Sequence, residues 1–197
     1  MTKPIFSVLI PAIFERTDSL LRLSAELERQ IAADSLTGVE IISVLDNRAV
    51  SVGAKRDAVL QASHGDYVAF VDDDDWVALN YLSSITAAIR EHPGVDVITF
   101  QQLAFIDSET PALVTFKLGN PNEDHNPTAY RRAAWHVNAW RADLVKQFHF
   151  PDSYYGEDWA WAAQCNAAAT TSHHIGEALH QYRFRSELSR AFAVPPP

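Results

Sequence analysis

The chain has 197 residues, 47% of them hydrophobic and 21% charged, with a formal net charge of −9. That length and apolar fraction suit one domain with a sizeable core. The acidic balance excludes a general nucleic-acid or anionic-membrane binder, because both need a cationic surface. A single cysteine, Cys165, leaves no partner for an intrachain disulfide and makes the cytosol the expected compartment. No run of about 18 apolar residues is present to span a bilayer. The start, MTKPIFSVLIPAIFER, is interrupted too early by Pro11 and Glu15 for a secretory signal. The expectation is a soluble, cytoplasmic protein.

In chain order, the apolar run 5–10 predicts a strand ended by Pro11, and the amphipathic stretch Thr17 to Ala33 a helix. A strand over 39–45, a helix from Val52 to Ser63, a strand over 67–71, a helix from Leu79 to Glu91 and a strand over 95–100 follow. Strand and helix alternating at this spacing indicate βαβ units. The fold class expected is α/β, with a mostly parallel, Rossmann-like central sheet and helices on both faces. After residue 100, QQLAFID and LVTFKL read as a small antiparallel portion, and the polar run GNPNEDHNP (119–127) as a mobile flap. Helical pattern resumes over 142–148, where Phe148 closes it, and over 157–169; Cys165, in this Ala-rich stretch, reads as buried packing. A last strand runs from about Glu177 to Phe184, and 191–197 forms a frayed, Pro-rich tail.

The residues with the sharpest chemical signal are Asp72 to Asp75, four consecutive carboxylates at the end of an apolar strand. At ~4 Å each neighbouring pair repels by about 1 kcal/mol in water and about 4 kcal/mol at a protein-surface dielectric. In a parallel sheet, ligands bind beyond the carboxyl ends of the strands, where these acids lie. Helix capping explains one or two of them. A hard divalent cation, Mg²⁺ or Mn²⁺, explains more, since it takes one or two carboxylates together with phosphate oxygens.

GDYVAFVDDDDW (65–76) resembles the DxD segment of the inverting family-two glycosyltransferases, enzymes of the GT-A fold that use nucleotide-sugar donors. SVLIPAIFER, VLDN, GAKRDAVLQASHG and FPDSYYGEDWAW fall in the same order as in that family. The resemblance implies a single GT-A domain over 1–197, with a nucleotide-sugar-binding half over about 1–100 and an acceptor half over about 101–190. It implies transfer of a sugar from a nucleoside diphosphate donor, UDP-linked by expectation, to an acceptor hydroxyl. Asp72 and Asp74 become the DxD pair, with Asp74 on the metal and Asp72 near ribose or metal. Asp73 and Asp75 are left to turn and helix-cap chemistry, and Trp76 to packing.

Pro11 and Phe14 fall where the family lines the nucleotide base, although PAIFER lacks its frequent aromatic-Asn pair; Phe14 stacks on a base or staples the helix start. Asp46 matches the aspartate that meets uracil, or else forms an Asx-turn. Arg56, beside Lys55, sits near the nucleotide, where a cation pairs with pyrophosphate or with the aspartates. In GEDWAW, Asp158 is the expected general base, and Glu157 binds acceptor or orients the site. Trp159 and Trp161, two apart on a helix, cannot share a face. One at most forms a sugar platform, with Trp159 placed at substrate.

The chain's eight histidines include no HExxH pair, and only His180, in HQYRFR, is a candidate third metal ligand. Arg183 and Arg185 share a strand face that meets phosphate or water, and Arg190 continues this basic end. The acceptor stays open among glycan, lipid carrier, protein and modified nucleic-acid base. So do the rival readings of a phosphohydrolase, a nucleotidyltransferase or a non-enzymatic nucleotide- or glycan-binding module.

Overall fold

Side chains alternating between two covered faces of the first strand set up the architecture. In this computed structural model, which describes residues 3–107, 110–126 and 129–184, β1 (Phe6–Ile13) is buried along nearly its whole length. Phe6, Val8 and Ile10 point to one face, where they meet Leu20, Leu23 and Leu27 of α1 (Thr17–Ala33) and Ile85 of α3 (Tyr81–Glu91). Leu9 points to the other face, with Val59 and Leu60 of α2 (Val52–Ala62), Val145 of α4 (Ala142–Val145) and Trp161 of α5 (Glu157–Ala168). Because side chains alternate along a strand, one apolar run fills two cores. The expected helices on both faces are therefore present.

β2 (Val39–Asp46) and β3 (Tyr67–Phe70) flank β1 in parallel. Beyond β3 lies β9 (Ala139–Arg141), antiparallel both to β3 and to β5 (Val97–Ile106), so β5 points the same way as β3. β10 (Ser172–Phe184) runs parallel to β5 and pairs at His180 and Gln181 with the two-residue β4 (Trp76–Val77). The carboxyl ends of β1, β2 and β3 thus reach one edge of the sheet, and the aspartates follow β3 there.

Several boundaries differ from expectation. Pro11 does not end β1, which continues to Ile13 with Pro11 opposite Val44. Leu9 faces β3, since its carbonyl accepts from Val71 N–H. By alternation Pro11 faces the same side, where pairing with β3 has already stopped at Phe70. Its missing N–H therefore forfeits no ladder bond. QQLAFI continues β5 and pairs antiparallel with β6 (Ala112–Phe116), as the antiparallel reading requires. The expected flap contains a strand instead: β7 (Glu123–Asn126) pairs antiparallel with β8 (Ala129–Arg132), which is parallel to β6. The helix expected over 142–148 stops at Val145. Arg185, Arg190 and the tail lie outside the described residues. Among the described residues, no helix is long and apolar enough to cross a membrane.

At the opposite edge of the sheet, Asp96 ties the start of β10 to β5. Its Oδ2 accepts from Thr170 N–H (2.8 Å), Thr171 N–H (2.9 Å) and both threonine hydroxyls (3.2 and 3.0 Å), while Arg141 Nη2 stands 3.2 Å from Oδ1. Burial pushes this carboxyl up, but the two N–H groups and two hydroxyls outweigh it and hold it below the ordinary range. Stability from the charged form is then full above the unfolded value of about 3.9 and is lost as pH falls through the lower folded value. Asp96→Ala should cost about 2 kcal/mol in urea unfolding at pH 7, since it removes hydrogen bonds to a buried charged carboxylate while the exposed threonine donors turn to water. The gap from wild type should narrow below about pH 4.

Candidate active site

Each carboxylate after β3 is met by a different partner. Asp72 Oδ1 and Oδ2 accept from Arg56 Nη2 at 2.7 and 2.8 Å. Asp73 accepts from Ile13 N–H (2.9 Å) and Arg16 Nη1 (3.0 Å), and the same Arg16 nitrogen lies 3.0 Å from Asp74 Oδ2. Asp75 closes the turn with its N–H on the Asp72 carbonyl (3.0 Å), accepts from Arg183 N–H at 3.2 Å, and faces His180 Nε2 at 3.4 Å. Asp75 therefore caps no helix, because β4 follows it and α3 begins at Tyr81 behind Asn80. Asp73 likewise ties the turn to the end of β1.

Two arginines do not neutralise four acids. Burial raises Asp73 despite Ile13 and Arg16, and raises Asp74 to about 6 with the charges of Asp72 and Asp73 adding to it. Burial and then the charges of Asp72 and Asp74 push Asp75 well above the carboxylate range. Burial also pushes Asp72 up, but Arg56 outweighs it and holds it low. Asp74 keeps a side chain 40% exposed. Both Asp74 and Asp75 line a cavity of about 440 Å³ with Ser19, Arg22, Trp76, Gln181 and Arg183.

Arg56, only 4% exposed, is where the two halves of the site meet. Its Nη1 lies 3.2 Å from Glu157 Oε1 and 3.8 Å from Asp158 Oδ2. The approach of α5 to α2 follows from the segment before it. Ser51 caps α2, accepting from Ala54 N–H at 3.0 Å and donating to Asp152 Oδ1 at 2.6 Å. Gly53 N–H donates to the Ser153 carbonyl (3.1 Å), and a Cβ on Gly53 would stand 1.9 Å from the Pro151 carbonyl oxygen. Only glycine permits this approach. Asp57 accepts from Phe150 N–H at 3.2 Å. Beneath α5, Trp161 stacks on Phe150 at 4.6 Å and meets Phe70 edge-on at 6.0 Å.

Glu157 is buried and pushed up by that burial, against the pull of Arg56. Asp158 is half-buried, accepts from Trp159 N–H at 2.7 Å and lies 3.6 Å from His136 Nδ1. His136 is driven well below an ordinary histidine by burial and by Arg56, so its ring is neutral near pH 7.

Other candidate residues occupy the same edge. Asp46 takes Lys55 Nζ on one oxygen (2.7 Å) and, on the other, Val50 N–H four residues on (3.0 Å), which ties the loop before α2 back to the end of β2. Phe14 is 57% exposed in the turn after β1 and belongs to no core cluster, which removes the staple reading. Trp159 is exposed and Trp161 fully buried, which divides the pair between surface and packing. Trp76 packs partly buried against the core. His180 is fully buried; its Nδ1 meets Gln102 Oε1 at 3.1 Å, and burial pushes it down to about 4.

Arg16 and His136 were not legible beforehand. Arg16 follows its strand in IFER without a motif, and His136 sits in AAWHVNAW, where only the pairing of β9 with β3 brings it under Asp158.

Removing Arg56 should leave the buried Glu157 and the half-buried Asp72 without a counter-charge. Arg56→Met is expected to cost about 3 to 5 kcal/mol in chemical denaturation at pH 7. Arg16→Met, at a more exposed pair, should cost about 1 kcal/mol or less.

Residues 29–141, more than half of the chain, match the family model for glycosyl transferase family 2. No curated protein sequence matches it. Among solved structures, S. aureus TarS 1-349 superposes with a TM-score of 0.62 at 18% identity, over 90% of this chain and 60% of that one. S. aureus TarS 1-349 in complex with UDP-GlcNAc gives 0.65 at 18% identity, over 92% and 59%. The longer S. aureus TarS chain gives 0.62 at 19% identity, over 91% and 36%. This chain therefore spans about three fifths of TarS 1-349 and a smaller share of the longer chain. The likeness establishes a shared fold, the GT-A arrangement. Together with the match over 29–141 it places the sequence: the chain belongs to glycosyl transferase family 2.

Proposed function

We propose that the chain transfers a hexose-type sugar from a UDP-linked donor to an acceptor hydroxyl by a single inverting displacement, with Asp158 as general base. The observation that carries this reading is the shared guanidinium of Arg56. It joins Asp72, on the turn after β3, to the first turn of α5, where Asp158 stands. A donor at the strand ends and an acceptor at α5 then meet across one ion-pair network. The UDP-GlcNAc complex of TarS, which has this fold, supports a UDP-sugar donor.

The residues suit a divalent cation bound together with substrate. Asp74 has one oxygen on Arg16 and a side chain open to the cavity, and the fully buried His180 Nε2 has no hydrogen-bond partner. Asp72 is engaged by Arg56 through both oxygens, so it joins such a site only by sharing them. No group of three or more His, Cys, Asp or Glu is arranged as a complete ligand set among the described residues. Mg²⁺ and Mn²⁺ need only one or two carboxylates when phosphate oxygens complete the shell. Asp74, with Asp72 and His180 as further ligands, would hold the ion, which supplies charge neutralisation at the departing diphosphate.

The chain's own groups do the rest. Phe14 and Asp46 flank the nucleotide base beyond β1 and β2, with Pro11 near it among the last residues of β1 that pair with β2. Asp158 accepts the hydroxyl proton as the acceptor oxygen forms its bond to the anomeric carbon and the bond to the diphosphate oxygen breaks. The Trp159 N–H and Arg56 hold Asp158 in place, and Glu157 orients the site through the same guanidinium. A base within hydrogen-bond reach contributes about 10² to 10⁴ in rate. Asp158→Asn should therefore lose at least a hundredfold in UDP release from UDP-sugar, while the UDP-induced thermal shift with Mn²⁺ persists. Full turnover in Asp158→Asn, or no shift with any nucleotide, contradicts the reading.

A further inference from the structure

Exposed aromatic residues crowd the segment that carries the proposed base. Among the described residues, the large apolar side chains left exposed are Phe14, Leu21, Val50, Leu79, Ile106, Tyr154, Tyr155 and Trp159. Three of these eight fall within the six residues that lead into and include Asp158 and its neighbour. Tyr154 is 62% exposed, Tyr155 93% and Trp159 59%. Clustered exposed apolar surface marks a binding site more often than scattered single residues do.

The segment that carries the rings is held firmly. Ser51 on Asp152, Gly53 on Ser153, and the Pro151 carbonyl against Gly53 fasten its start to α2. Ser153 Oγ donates to the Tyr155 carbonyl at 2.9 Å, Tyr154 Oη reaches the Arg48 carbonyl at 3.5 Å, and Gly156 turns the chain at φ 77° into α5. Fixed backbone and large rings together present contact area at low entropic cost.

Charge selects the occupant. From Pro151 to Trp159 the chain carries Asp152, Glu157 and Asp158 and no Lys, Arg or His. Arg56 is buried and spent on carboxylates, and Arg48, whose carbonyl meets Tyr154, has its guanidinium on Glu15 at 2.9 Å. With both of these arginines already paired to carboxylates, a phosphate-bearing polymer or an anionic lipid surface meets no uncommitted cation on this segment and is repelled by Asp152 and Asp158. A sugar ring without charge offers C–H faces to the rings, and hydroxyl edges to phenol and indole groups that are apolar on one side and polar at the tip. We infer that Tyr154, Tyr155 and Trp159 form an acceptor subsite for an uncharged oligosaccharide, which delivers a sugar hydroxyl to Asp158. The inference rests on the transferase reading and names its acceptor class.

The test is direct binding of short neutral gluco-, galacto- and N-acetylglucosamine oligomers by titration calorimetry, beside oligomers bearing phosphate or uronate groups and phosphatidylglycerol vesicles. UDP-sugar hydrolysis is measured on the same preparation. The wild type should bind a neutral oligomer. Tyr155→Ala and Trp159→Ala should each weaken that binding about tenfold or more, as truncation of an aromatic anchor does. Their melting temperatures should be unchanged, because both rings are exposed. Binding only to the anionic oligomers or the vesicles overturns the inference. So does no oligosaccharide binding in a protein that hydrolyses donor, or neutral binding unaffected by either alanine. Neutral binding that depends on the rings, in a protein without donor turnover, upholds the subsite and rejects the transferase reading instead.

Discussion

The buried guanidinium of Arg56 is the interaction on which the rest of the site depends. It lies in α2 beneath the sheet edge and holds Asp72 on one side and Glu157 on the other, with Asp158 at the limit of its reach. Taking such groups out of water costs several kcal/mol per ion, which only close pairing offsets. One cation faces three acids, so the pairing is incomplete. Glu157 is raised by burial, and Asp74 and Asp75 are raised in the adjoining turn. The turn after β3 and the start of α5 thus carry more carboxylates than Arg16 and Arg56 neutralise.

The fold exists around that point through backbone constraints as much as through charge. The carboxyl ends of β1, β2 and β3 converge at one edge, and α2 rises from the loop after β2. Gly53 then allows the Pro151 to Ser153 backbone to lie against α2, and the Phe150, Trp161 and Phe70 rings fill the space below. Glu157 and Asp158 have no motif-level reason to meet Arg56. They meet it because their helix is docked by these contacts.

Much of this was legible in the sequence. Continuous apolar runs announced β1, β2, β3 and the first part of β5, and the periodic stretches announced α1, α2, α3 and α5 to within a few residues. What escaped were elements that tertiary pairing creates. β4 has two residues and exists because β10 pairs with it, and β9 has three residues held between β3 and β5. The polar run 119–127 lacks a strand-like pattern, yet 123–126 pairs with β8. At the site, the carboxylates and Arg56 stood out by type and order. Arg16 and His136 did not, because their partners lie far along the chain. Asp75 read as a helix cap because its immediate neighbours suggest one. Its actual environment, Arg183 N–H and His180, comes from β10, more than a hundred residues later.

The central claim is that this network supports a single displacement at the anomeric carbon. Proton NMR of slow UDP-sugar hydrolysis tests it without knowledge of the acceptor, because water then takes the acceptor's place. Starting from an α-linked UDP-sugar with Mn²⁺, the first sugar released should be the β-anomer, with the α-anomer growing in only by mutarotation. Initial release of the α-anomer, or no hydrolysis above the protein-free rate, would contradict the account.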